Sequence, residues 1–223
     1  MYCLDARAFV RASRVTDNLV ISWLLFVGNI TPMSASLPLV IQRAIDASAA
    51  GDTQAAMRLL QEAITDLPGV ALPHFLLGAE FAQAGQIEDA EAAYSRAVLL
   101  APAFEIARFQ LGLLQFTSGR SAVALLTWQP LSLLPDAHPL QRFVLAFAEL
   151  AQDRFAEALA CFREGIAANH ENPPLNVDMQ KIIDKILELH EVAEQPDAAA
   201  DAKEAERDAH VLLSNYRQNG PFH

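Results

Sequence analysis

The chain of 223 residues is 52% hydrophobic, enough apolar content for a core, and global disorder is excluded. Its formal net charge of -11 argues against nucleic acid and anionic lipid as partners. The only two cysteines, Cys3 and Cys161, stand in no paired or metal-ligand spacing, which excludes a disulfide framework and a zinc site and points to a reducing compartment.

Residues 1–36 read as a leader. Arg7, Arg11 and Arg14 precede an apolar stretch from Leu19 to Val27, followed by Ser34, Ala35 and Ser36, a crude signal-peptide order. Asp17 abuts the apolar stretch, Gly28 and Asn29 end it early, and about nine residues cannot span a bilayer. Two readings stay open, an export signal or anchor and an upstream segment ahead of a true start at Met33.

From Leu37 the chain falls into rows of 34 residues, 37–70, 71–104, 105–138 and 139–172. Ala56, Ala90, Ala124 and Ala158 hold one register through them. The same register carries Gly51, Gly85, Gly119 and Asp153, and, four residues after each alanine, Leu60, Tyr94, Trp128 and Phe162. Each row predicts two helices. The first runs to the Gly or Asp turn, where a left-handed residue ends it. The second carries an apolar stripe such as Ala90, Tyr94 and Ala97. Pro68, Pro102 and Pro135 close the first three rows, and Pro130 predicts an irregular stretch near 128–136. Ala44, Gly78, Gly112 and Ala146 on the first helices are expected to face the ladder alanines, letting the two helices approach closely.

Pro173 and Pro174 break the pattern. A capping helix over 173–194 is predicted next, with Met179, Ile182, Ile183, Ile186, Leu187 and Leu189 along one side. A solenoid needs such a helix to cover its last open face. Residues 195–223 form an acidic, alanine-rich helix or tail.

Row two, with Leu77-Gly78, Phe81, Gly85, Ala90, Tyr94, Ala97 and Pro102, most resembles the tetratricopeptide repeat. The likeness covers residues 37–172. His74, Arg108 and Arg142 depart from it, standing where the pattern has tryptophan. It implies an all-α, right-handed α-solenoid of about four helix pairs with a C-terminal capping helix. It also implies that places 2, 5, 9 and 12 of each row line a concave groove, and the spacing of three, four and three sets them on one helical face in any case. Those places supply the candidate groove residues Ile41, Ile45, Leu72, Phe75, Ile106, Phe109, Leu113, Phe116, Phe143, Phe147 and Leu150, with Ser48 as the polar exception. Arg108 and Arg142 stand beside it as candidate edge charges.

So apolar a face needs a cover. Three covers are open: a partner's apolar helix or extended segment, the chain's own apolar segments, or neighbouring rows and a homodimer seam. Lysine is absent from residues 37–172, which argues against the carboxylate clamp of chaperone-binding tetratricopeptide domains. No phosphate loop, zinc-protease helix or serine elbow occurs, and the six histidines share no ligand spacing. The expectation is a non-enzymatic chain with no cofactor, no metal and no catalytic residue. It is a bacterial, cytoplasmic scaffold or chaperone-like adaptor for another protein. The alternative is a membrane-associated or periplasmic accessory factor that uses residues 1–36, in which case the membrane becomes a partner.

Overall fold

The computed structural model describes residues 37–194, and the leader and the 195–223 segment lie outside the described residues. Among the described residues all regular structure is helical. The pairs are α1 (Leu39–Ala49) with α2 (Thr53–Asp66), α3 (Ala71–Gln83) with α4 (Ile87–Leu100), α5 (Glu105–Thr117) with α6 (Ser121–Trp128), and α7 (Pro139–Leu150) with α8 (Phe155–Ala168), followed by α9 (Pro173–Glu194). Each helix packs chiefly on its neighbours in sequence, which is the architecture of a solenoid.

Within each pair the chain reverses through the same device. Gly51, Gly85 and Gly119 have φ of 78°, 72° and 82°, and Asp153 takes the same left-handed turn at 60°. In all four turns the next residue's N–H reaches back five residues to close the first helix: Asp52 to Ala47 at 2.9 Å, Gln86 to Phe81 at 2.9 Å, Arg120 to Gln115 at 2.9 Å and Arg154 to Glu149 at 3.0 Å. This 6→1 bond satisfies a carbonyl that the helix end would leave bare. In the first turn Asp52 also caps α2, its Oδ1 accepting from the Ala55 N–H at 2.9 Å.

Pro130 has the effect its chemistry requires. The second helices of the other rows run 14 residues, whereas α6 ends after eight and is followed by a short 3₁₀ turn at Leu131–Leu133. At the far end Asn172 accepts from the Leu175 N–H at the start of α9. Asn169 and Asn176 tie the end of α8 to α9 through bonds of 2.7 Å and 2.9 Å. Met179, Ile182, Ile183 and Ile186 of α9 then join the core of rows three and four.

The small residues make room for large ones. A Cβ added to Gly78 would meet the Tyr94 ring at 2.8 Å, and one added to Gly112 would meet the Trp128 indole at 2.2 Å. At these two glycines the nearest neighbour is thus the large residue sixteen positions on, and the ladder alanines beside them are fully buried. Where the large residue is Tyr or Trp the small place is Gly; where it is Leu60 or Phe162 the small place is Ala44 or Ala146. Trp128 has no room to move, because its Nε1–H donates to the Phe109 carbonyl at 2.9 Å and its ring stacks on Phe109 and Phe116.

Gly112→Ala should therefore cost about 1–3 kcal/mol by overpacking. Combining it with Trp128→Leu, which recreates the Ala44–Leu60 pairing, should cost less than the sum of the two single changes. Urea unfolding of the four proteins measures that coupling, and strict additivity would mean the two places do not interlock.

Candidate functional site

The face expected to line a groove is largely interior. Ile41, Phe75, Phe109, Leu113, Phe116, Phe143, Phe147 and Leu150 are buried, and only Ile45, Leu72 and Ile106 keep partial exposure. Among the described residues, neighbouring rows cover its phenylalanines in rows three and four. Phe109 touches Trp128, Phe143 and Phe147 with ring centroids 5.7–6.4 Å apart, and Phe147 also meets Phe116 at 5.0 Å and Phe162 edge-on at 5.0 Å. These side chains carry the packing between rows three and four. A partner could reach them only by parting the rows.

The two expected edge charges are engaged as well. Arg108 donates from Nη2 to the Pro102 carbonyl at 3.1 Å and from Nη1 to the Thr127 carbonyl at 3.5 Å, joining the segment after α4 to the end of α6. Arg142 lies 3.5 Å from the Glu164 carboxylate on the paired helix α8. Neither points a bare guanidinium at a partner.

Polar groups that sequence reasoning passed over hold the rows in register. Glu91 of α4 takes both arms of Arg120 in a fork, at 3.0 Å and 2.6 Å, and accepts from Gln115 Nε2 at 3.1 Å. Gln115 in turn accepts from Thr127 at 2.7 Å. The Arg120 fork holds the Glu91 carboxyl below its ordinary range. Cys161 is half-buried; burial and the nearby Glu164 and Glu149 push its thiol up, away from reactivity. Among the described residues no group of His, Cys, Asp and Glu is placed to hold a metal ion, and no helix is long and apolar enough to cross a membrane.

One carboxyl is in the wrong solvent. Glu80, on α3, is only 1% exposed; its Oε1 accepts from the Ser48 hydroxyl of α1, while its Oε2 has no hydrogen-bond partner. Burial pushes its pKa up, and the Ser48 bond offsets part of that. The Tyr94 phenol is pushed up too, by its own burial and then by the Glu80 charge. A single Glu in an acidic chain gives no sequence signal of such burial. A signal did exist at Ser48, the one polar residue among sixteen places on that face.

No sequence-family model matches the chain, and no curated protein matches it. Solved structures do. A thermophilic TPR protein of Thermus thermophilus superposes with a TM-score of 0.52 over 82% of this chain and 98% of its own, at 17% identity. The chain has the tetratricopeptide-repeat fold. MamA from Desulfovibrio magneticus RS-1, from residue 41 to its end, superposes with a TM-score of 0.50 over 71% of this chain and 96% of its own, at 14% identity.

Because the folded-state pKa of Glu80 lies above its unfolded value, its protonated form stabilises the fold. That contribution is fully present below the ordinary carboxylate pKa and is lost as pH rises through the raised value. Glu80→Gln should thus gain stability relative to the parent chain across that window, with no further change at higher pH. Chemical-denaturation midpoints of the two proteins, measured as a function of pH, check this; a pH-independent difference would contradict it.

Proposed function

We propose that the chain is a non-enzymatic scaffold that binds another protein. The observation that carries the reading is a set of large apolar side chains left exposed in row three, on either side of Pro130. Where the helix breaks, Leu126 and Leu133 stand 72% and 83% exposed, with Val123 at 43% on the same short helix. Three of the large exposed apolar side chains thus fall within eleven residues of one row. Leaving them in water forgoes burial that a partner's apolar segment would supply. The tetratricopeptide fold supports the same reading, since a stack of helix pairs offers long side surfaces to a partner.

A chaperone-like hold on an apolar segment through Phe109 or Phe143 is less favoured, because both are fully buried and the rows would have to part. The accessory-factor alternative rests on residues 1–36, which lie outside the described residues.

The experiment is affinity purification of the full chain from its native source beside a Leu126→Ser/Leu133→Ser variant. Because both side chains are exposed, the variant should unfold within about 0.5 kcal/mol of the parent. It should lose a partner that the parent retains. A partner held equally by both proteins would move the binding surface elsewhere on the stack.

A further inference from the structure

The four rows place equivalent residues in equivalent positions, so each row serves as a template for the others. In row four the fourth and twenty-sixth places are Arg142 on α7 and Glu164 on α8, and their side chains meet at 3.5 Å as an ion pair. In row two the same two places hold His74 on α3 and Arg96 on α4. The geometry that brings a cation to an anion in row four here brings two basic groups together. Neither has an anionic partner among the described residues.

His74 and Arg96 line one depression of about 480 Å³ between α2, α3 and α4. Its apolar wall includes Ile64, Leu77 and Phe81. The charged and titratable groups facing it are His74 from α3 and Asp89 and Arg96 from α4, whereas α2 contributes the neutral Gln61 and Thr65 beside Ile64. Asp89 lies two turns before Arg96 on the same helix, roughly 10 Å along its axis, and makes no ion pair with it. The electrostatic consequence is visible at His74, whose pKa is lowered by burial and then by the Arg96 charge, with no carboxylate compensating.

We propose that this depression binds a carboxylate of a partner polypeptide between His74 and Arg96, with an adjoining apolar side chain against Leu77 and Phe81. The carboxylate takes the role that Glu164 plays for Arg142 in row four. Arg96 offers a planar fork suited to a carboxylate, and His74 adds a second N–H donor that becomes charged once the anion arrives. The volume suits one side chain and its neighbouring backbone. The inference takes its occupant, a polypeptide, from the scaffold reading above. A titration with small molecules tests the site without any captured partner, so the two can fail separately.

The probes are N-acetylphenylalanine, with a free carboxylate, its neutral amide N-acetylphenylalaninamide, and inorganic phosphate, each titrated into the full chain while the His74 imidazole is followed by NMR. N-acetylphenylalanine should shift the His74 signals and raise the pH at which the ring titrates, and the amide at the same concentration should do neither. Arg96→Gln should weaken the response by roughly tenfold or more, the loss expected for a charge-assisted bond. Arg96→Glu, which copies the row-four arrangement, should abolish the response and by itself raise the His74 titration midpoint. Equal responses to the acid and the amide, or no response to either, would overturn the proposal. An equal response to phosphate would overturn it too, since the site would then take a bare anion and ignore the apolar neighbour.

Discussion

The stack depends on one steric fit, made in rows two and three: a glycine on the first helix receives the large residue sixteen places later on the second. At Gly112 the fit is tight enough that even a methyl group would intrude on the Trp128 indole, and at Gly78 the Tyr94 ring fills the same space. Close approach of the two helices brings the aromatic rings inside, where Trp128 finds the Phe109 carbonyl for its N–H and Phe147 bridges Trp128 to Phe162. Everything further out is arranged around that interior. The recurring turn at Gly51, Gly85, Gly119 and Asp153 sets the two helices antiparallel so that the fit can form.

A close-packed interior leaves function to the surfaces where the repeat pattern lapses. Pro130 shortens α6, and row three carries Leu126 and Leu133 at outward places that the other rows also expose. A basic residue at Arg96, where row four has Glu164, leaves two nitrogen bases facing one depression. Both are departures from the repeat, and in a repeat protein a departure is informative because the neighbouring rows show what the regular residue would have done. Glu80 is a third irregular place, an acid buried where row one has the exposed Asp46, row three Leu114 and row four Ala148.

The fold was legible because its period is carried by residues with few substitutes: a glycine, or once an aspartate, for a left-handed turn, a small side chain beneath a large one, a proline after a helix. The cover of the apolar face was not legible, for a physical reason. Spacing of three, four and three puts Ile106, Phe109, Leu113 and Phe116 on one helical face, yet it does not tell whether water, a partner or the next row lies opposite. An apolar stripe looks the same in each case. The polar register between rows was illegible for a different reason, since Glu91, Gln115, Thr127 and Arg120 are far apart in sequence and ordinary one by one. Their meeting is a product of the stack.

The central claim is that the phenylalanine face is the core of the stack. The direct measurement is the equilibrium unfolding free energy of Phe109→Ala against the parent chain. A fully buried ring in contact with Trp128, Phe143 and Phe147 should cost about 3–5 kcal/mol on truncation. A loss of about 0.5 kcal/mol or less, the range of surface substitutions, would contradict the account and return Phe109 to an open groove.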